Sequence, residues 1–294
     1  MRDRGFYWAE VLSTEQLTPS FVRVRFGGPD LDDYDAHESP DESVAIYFPN
    51  PGEDRPPAMT NIDGVWWFHD ESDRPEGRNY TVRRIEPDGT LVVDFVAHEG
   101  GVAASWAQSA SAGDTVLFSM PRGWYAVPED TDWQLLVADL AGLPALARIV
   151  EGLPKSARAH VIAEVFDERD VLHFDTVGAV TVDWLVGSGN GHGPGAVVDA
   201  VRAWPIPEGN GYVWFAGEAA DSRAVRKFVR RERGMGADRF DIIGYWRVRA
   251  EQWLARYEKV ESVVAAAYTT ALEQGRTEKE AAEAYDEMLE KVGL

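Results

Sequence analysis

The first part of the chain alternates between apolar and polar residues. In Ser20-Phe-Val-Arg-Val-Arg-Phe-Gly27, Val22, Val24 and Phe26 fall on one side and Arg23 and Arg25 on the other, the period of a half-buried strand. The same reading gives strands over 6–14, 42–48, 79–85, 90–97 and 114–119, with Pro87-Asp88-Gly89 turning a hairpin between two of them. Short strands at this spacing predict a small antiparallel barrel or sandwich over residues 1–127. A helix over 102–109 interrupts it. Residues 50–77, rich in Pro, Gly, Asp and Glu, read as a long loop around the strand Val65-Trp66-Trp67-Phe68.

The pattern then changes. Gln134-Leu-Leu-Val-Ala138 is a continuous apolar run, followed by a helix over 143–151 and strands over 158–166 and 179–186. A glycine-rich loop over 187–195 reads as flexible and leads into a helix ending near Trp204. The strand Tyr212-Val-Trp-Phe-Ala216, a basic helix over 219–233 and a last strand over 242–246 complete the series. Strands alternating with helices predict a mostly parallel α/β sheet, covered on both faces, over residues 128–248. Over 249–294, Tyr257, Val260, Val264, Tyr268 and Ala271 recur at helical spacing. Gly275 then stops one helix and Thr277-Glu-Lys-Glu280 opens another, predicting a helical hairpin.

Composition narrows the chemistry. With 29 basic against 50 acidic residues, a net charge of −21 repels phosphate backbones and anionic lipid, so neither nucleic acid nor membrane is an expected partner. There is no cysteine, which excludes disulfides, thiolate-bound zinc and Cys-ligated iron–sulfur clusters. No His/Asp/Glu group has metal-ligand spacing, and neither a GxGxxG or Walker fingerprint nor a Gly-x-Ser-x-Gly elbow is present. The N-terminus lacks a signal-type apolar stretch and no segment reaches membrane-spanning length, so a soluble cytoplasmic protein is expected, as a monomer or weak dimer.

Four segments are candidates for function. In Arg78-Asn-Tyr-Thr-Val-Arg83, a single strand puts Arg78, Tyr80 and Val82 on one face and Asn79, Thr81 and Arg83 on the other. An Arg, a Tyr and a Thr at a barrel opening suit a pyrophosphate, a flat ring and that ring's polar edge. On composition alone an ordinary polar strand is the commoner outcome. His98-Glu-Gly-Gly-Val-Ala-Ala-Ser-Trp-Ala107 runs two glycines into a helix whose early residues are small, which suits phosphate at the helix start or a mere strand-to-helix turn. Arg122 in Pro121-Arg-Gly123 and Arg247 in Gly244-Tyr-Trp-Arg247 are expected to face the cleft between the two halves, drawing an anionic substrate or pairing across the interface. The arginines of 221–231 read as a solvated helix face, with a nicotinamide 2′-phosphate site as the weaker alternative.

Taken together, Arg78-Asn-Tyr-Thr-Val-Arg83, Val93-Asp-Phe-Val-Ala-His98, Trp106-Ala107, Gly113-Asp114, Pro121-Arg-Gly123, Leu143-Pro-Ala-Leu-Ala-Arg148, Trp214-Phe-Ala-Gly-Glu218 and Gly244-Tyr-Trp-Arg247 resemble the siderophore-interacting protein family of FAD-dependent ferric-siderophore reductases. The resemblance runs from about Phe6 to Arg247. It implies a ferredoxin-reductase-like, flavin-binding β-barrel followed by a nicotinamide-binding α/β domain. FAD would lie on Arg78, Tyr80, Thr81 and Val82, on His98, and on the turn Gly101, Val102, Ala103 and Ala104, with Trp246 near its ring. NADH or NADPH would approach Asp139 and Glu218, and Arg122 and Arg247 would attract the ferric siderophore, a small-molecule iron chelate. No side-chain acid or base is implied, because hydride passes to the flavin and single electrons pass on to Fe(III).

The chain departs from the family pattern at Leu140 and Ala141, where Glu and Thr are usual, at Ala45 for a Lys, at Val102 for a Pro, and at Arg249 where a Gly is usual nearby. Two other readings stand beside the reductase. A general NAD(P)H–flavin oxidoreductase would reduce free flavin or quinone in preference to iron chelates. A non-enzymatic siderophore-binding protein would not take up FAD.

Overall fold

A computed structural model describes residues 5–63, 65–68, 75, 77–97 and 101–294. The first sheet holds β1 (Phe6–Thr18), β2 (Phe21–Gly27), β3 (Ser43–Tyr47), β6 (Gly77–Thr81), β7 (Arg84–Ile85), β8 (Leu91–Val96) and β9 (Thr115–Ser119). Its order is β6-β3-β9-β1-β2-β8-β7, with antiparallel neighbours throughout. The period of two decides the faces. Val22, Val24 and Phe26 enter the core with Ile46, Phe95 and Phe118, while Arg23 and Arg25 stay outside and pair with Asp94 and Glu86. The hairpin turn falls at the expected place, and Gly89 takes the positive φ of 85° that it requires. The predicted loop over 50–77 contains a small antiparallel hairpin of its own, β4 (Met59–Ile62) on β5 (Val65–Phe68).

One expected strand is two. Residues 79–85 do not run as a single ladder: β6 pairs with β3 as far as Thr81 opposite Ser43, and β7 pairs with β8. Between them Val82 N donates to Glu42 O at 2.9 Å and Arg83 N donates to Val92 O at 2.8 Å. The segment changes partner at Val82–Arg83. Because β6 and β7 are the two ends of the sheet, this stretch of chain curls the sheet around on itself, barrel fashion. Helix α1 (Val102–Ser109) buries Ala103, Ala104 and Ala107, and Trp106 stacks on Phe26.

The second sheet is parallel, in the order β12-β11-β10-β13-β14. Its strands are β10 (Trp133–Ala138), β11 (Arg158–Val165), β12 (Ala179–Val186), β13 (Gly211–Glu218) and β14 (Phe240–Trp246). Continuous apolar strands imply cover on both faces, and there are two cores. One joins Leu136, Val161 and Trp214 to α2 (Leu143–Glu151); the other joins Leu135, Val137 and Phe215 to α3 (Val197–Ala203) and α4 (Ala219–Lys227). Phe21, from the first sheet, is buried in the former. The glycine-rich loop expected to be flexible is folded inward: Ser188 Oγ donates to Glu164, and Leu140 N donates to Asn190 Oδ1 at 2.8 Å.

The C-terminal segment forms three helices, α5 (Ala250–Tyr257), α6 (Glu261–Glu273) and α7 (Glu278–Lys291). The α6–α7 hairpin has its Gly275 stop, at φ 78°, and its Thr277–Glu280 capping box. Tyr257 and Val260 do not continue into Val264, because the chain turns at 258–260. The arginine face of α4 and of the wider helical turn after it is not simply solvated. Helix α7 lies on it, pairing Asp286 with Arg226, Glu283 with Arg230 at 2.7 Å and Glu287 with Arg231 at 3.0 Å. Partly exposed ion pairs are screened by salt. Raising NaCl to about 1 M, where the Debye length is about 3 Å, is expected to speed amide exchange in α7 several-fold and leave β10 and β13 unchanged. Equal protection of α7 at low and high salt would mean that the apolar contacts of Ala281 and Leu289 hold it. Among the described residues no helix is long and apolar enough to cross a membrane.

Candidate functional site

Buried polar ties from Asp41–Glu42, Val82–Arg83 and the linking segment join the two sheets at a seam. Asp41, fully buried, accepts from Trp124 N at 2.8 Å, from Tyr125 N and from Trp214 Nε1 at 3.1 Å, which pins the linking segment to the parallel sheet. Glu42 beside it accepts from Arg148 of α2 at 2.9 Å, and Arg83 donates to Glu151 of the same helix at 2.6 Å.

On this seam sit the residues of the Arg78–Arg83 segment. Tyr80 packs against Phe95, ring centroids 4.3 Å apart, and burial pushes its phenol up to about 12 while Arg78 pulls it down. Its hydroxyl therefore stays a donor at neutral pH. Thr81 points to the other face, opposite Ser43 in the ladder. The hydroxyls of Thr81, Ser43 and Tyr245 are all buried, and none has a protein partner in hydrogen-bond geometry. Burial and then the Asp41 charge raise the Tyr245 phenol, against the neighbouring Thr81 hydroxyl and Arg122, which lower it. Orphaned buried hydroxyls are rare in folded proteins, and three on one seam suit a ligand with a polar ring edge. Val82 is wholly inside the barrel core.

At the start of α1, Gly101 has φ 101°, a backbone strained for any other residue, and Ala103 and Ala104 keep the first turn free of bulk. Val102 stands exposed at that turn. His98 lies outside the described residues. Small residues, helix-start N–H groups and unsatisfied hydroxyls fit an FAD.

Asp139 and Glu218 stand at the carboxyl ends of β10 and β13. The Asp139 carboxylate is buried and accepts from Trp246 Nε1 at 2.5 Å, Glu218 N at 2.8 Å, Ala141 N at 2.9 Å and Gly142 N at 3.3 Å. Burial pushes its carboxyl up to about 7, against the pull of those four N–H groups. Gly217 must be glycine here, since a Cβ would stand 2.8 Å from Asp139 Oδ2. Glu218 caps α4 by accepting from Ala220 N and Asp221 N, and its other oxygen accepts from Val248 N at 3.1 Å. Both carboxylates thus hold neighbouring parts of the protein, and the Trp246 indole is anchored by Asp139. Of the departures from the family pattern, Leu140 fills the α/β core and Ala141 remains partly exposed.

Beside β6 lies an open cleft of about 680 Å³, with Ala45, Tyr47, Met59, Trp66, Arg78 and Arg122 among the residues that line it. Its described lining contains no carboxylate, in a chain of net charge −21. Arg122 is fixed there by backbone bonds to Ser43, by donation to Asn79 Oδ1 at 2.8 Å and by stacking on Trp124. Arg247 does not line this cleft, whose described lining lies wholly within residues 5–122. Its guanidinium lies 3.9 Å from the Trp253 ring centroid, and burial beside Arg223 lowers its pKa. Trp253 belongs to α5, the helix the sequence pattern did not reveal. Sequence reasoning passed over Ser43 and Glu42, and quoted Tyr245 and Arg148 only as parts of motifs, with no role of their own. Adjacent acids opening an apolar strand, as at Asp41-Glu42, were the one signal available.

Comparison with known proteins agrees with this arrangement. Residues 10–125 match the siderophore-interacting FAD-binding domain, and residues 131–249 match the siderophore-interacting protein family. The chain is 31% identical over 255 residues to the NADPH-dependent ferric-chelate reductase of Escherichia coli (strain K12), covering 84% of this chain and 95% of that one. It is 28% identical over 237 residues to the ferric vibriobactin reductase of Vibrio cholerae, covering 79% and 85%. Among solved structures, a siderophore utilization protein from T. fusca superposes with a TM-score of 0.73 at 29% identity, over 83% of this chain and 93% of that one. A ferredoxin NADP+ reductase from Neisseria gonorrhoeae shares the fold, with a TM-score of 0.56 at 13% identity over 83% of this chain and 100% of that one. Helices α5–α7 lie beyond both family matches. The chain belongs to the siderophore-interacting protein family, and its curled antiparallel sheet is that family's FAD-binding domain.

Proposed function

We propose that this protein is a ferric-siderophore reductase that uses FAD to pass electrons from NADPH or NADH to chelated Fe(III). The observation that carries the proposal is that Arg78 and Asn79 belong both to the strand β6 assigned to FAD and to the wall of the cleft that holds Arg122, so an acceptor in the cleft would lie beside that strand. The relatives named for ferric-chelate and ferric-vibriobactin reduction support the same reading. Bound FAD supplies two-electron acceptance from the nicotinamide and one-electron release to iron. The balance is one NAD(P)H and two Fe(III) giving NAD(P)+, two Fe(II) and a proton.

The protein's share is binding and alignment. Arg78 would meet the cofactor's phosphates, Tyr80 would pack on its ring, and the Thr81 hydroxyl, with Ser43 and Tyr245, would bond the ring edge. The Gly101–Ala104 turn and Val82 would complete the holder, and the family pattern adds His98. Asp139 holds Trp246 over the entry for the nicotinamide, and Glu218 sets the start of α4 there. Arg122 draws the anionic chelate, and Ala45 leaves room where the family places a lysine. Fe(II) is a poor fit for hard-oxygen chelators and leaves. The reaction belongs in the cytoplasm, where reduced nicotinamide is supplied, with the chain as a monomer or weak dimer and residues 1–127 and 128–248 as the two working units.

Substrate preference tests the proposal. Turnover on a ferric siderophore should exceed turnover on free flavin or quinone; the reverse order would make the protein a general flavin reductase. Arg122→Ala is expected to raise the KM for the ferric siderophore about tenfold, the worth of one charged contact. Flavin reduction by NAD(P)H should stay the same. An unchanged KM would remove Arg122 from the substrate path.

A further inference from the structure

Helix α2 is built into the parallel sheet, yet its last turn ends in the FAD-binding domain. Arg148 Nη1 donates to Val82 O at 2.5 Å and to Glu42 Oε2 at 2.9 Å. Three residues on, on the same side of the helix, Glu151 accepts from Arg83. Val82–Arg83 is the point where the chain leaves β3 for β8, directly after Tyr80-Thr81. Glu42 is wholly buried, and its second oxygen accepts from Tyr34 Oη at 2.7 Å and His37 N at 3.0 Å. Its backbone carbonyl accepts from Val82 N. Arg148 thus closes a small ring of bonds around the strand switch, on both the carbonyl and the carboxylate sides.

The other end of α2 is held just as firmly. Gly142, immediately before the helix, donates to Asp139, the carboxylate that holds Trp246. Nine helical residues span about 13 Å at 1.5 Å per residue. One rigid rod therefore connects the Trp246 anchor to the backbone behind Thr81.

We infer that Arg148 is a positioning residue, which grips Val82 O and Glu42 so that the flavin strand is set at a fixed height relative to the nicotinamide end of the parallel sheet. The inference rests on the reductase reading. Hydride transfer falls steeply when reacting atoms are misplaced by an ångström, whereas electron release to iron tolerates more. The grip therefore bears on one half-reaction.

The test separates the halves. In Arg148→Gln, anaerobic reduction of the bound flavin by NADPH is expected to slow about tenfold or more, the scale of a small misplacement. Reoxidation of the dithionite-reduced protein by a ferric siderophore should keep its rate, and FAD affinity should stay within about threefold, since no cofactor contact is removed. In the FAD-free chain, amide exchange at 82–85 should rise while β10 is unchanged. Arg148→Lys, which retains one donor for Val82 O, should restore most of the rate. The double variant E42Q/R148Q removes both charges together, so it tests the same prediction without leaving a buried carboxylate unpaired. An unchanged reductive rate, or loss of both half-reactions in step with FAD affinity, overturns the inference. A wild-type protein whose flavin NADPH does not reduce would instead overturn the reductase reading, and exchange at 82–85 would still report the grip.

Discussion

Arg78→Ala is expected to weaken FAD binding roughly 10–100-fold, the worth of one charge-assisted contact at about 1.5–3 kcal/mol. Arg78 sits on β6, exposed toward the cleft, in a protein whose surface otherwise repels a pyrophosphate. Its own contact to Gly77 O, at 2.8 Å, steers the guanidinium along the strand. Arg78→Lys should recover only part of the affinity, because an ammonium lacks the planar fork that matches two phosphate oxygens. Fluorescence titration of the FAD-free chain measures this directly. The melting temperature of that chain, measured alongside, separates lost affinity from lost folding. FAD affinity unchanged by the alanine would take Arg78 out of the cofactor seat.

Asp139→Ala should cost more in stability than any other single change at the site, about 3 kcal/mol. It leaves the Trp246 indole and the backbone N–H groups of Glu218 and Ala141 without their acceptor, while Gly142 N keeps the Asp139 carbonyl, and each unsatisfied buried group costs about 1–3 kcal/mol before relaxation. Asp139 also gives stability a pH dependence of definite sign. Its folded-state value of about 7 lies above the ordinary 3.8. As pH rises between those values the unfolded chain gives up this proton first, so the folded state loses stability across that window. Asp139→Asn, which cannot ionise, should flatten that slope. Denaturant melts from pH 4 to 8 check both statements, and an identical slope in wild type and Asp139→Asn would show that Asp139 stays ionised throughout, held by its four N–H donors.

What was legible in the sequence was local. The alternation of 20–27 and the small residues of 102–109 each settle one element by their own contacts, and the structure has both. The capping box of α7 is equally self-contained. What escaped depends on partners far along the chain. Nothing in Arg78–Arg83 says that the strand exchanges β3 for β8 at Val82, since that follows from curling the sheet around its core. The arginines of α4 look solvated until the acids of α7, more than fifty residues on, are laid against them. Nothing in Gly244–Arg247 says that α5 brings Trp253 against Arg247. The candidate site was legible as a motif order, from Arg78 to Arg247. The bonds that support it, from Asp41, Glu42, Arg148 and Asp139, are tertiary and became visible only in the fold.

The most direct measurement is anaerobic: FAD-loaded protein, NADPH or NADH, a ferric siderophore and a ferrous-specific chelator, followed by absorbance. Ferrous complex should accumulate at close to two equivalents per nicotinamide oxidised, and only when protein, FAD and nicotinamide are all present. No ferrous signal with either nicotinamide, from protein shown by its visible spectrum to hold flavin, would contradict the account.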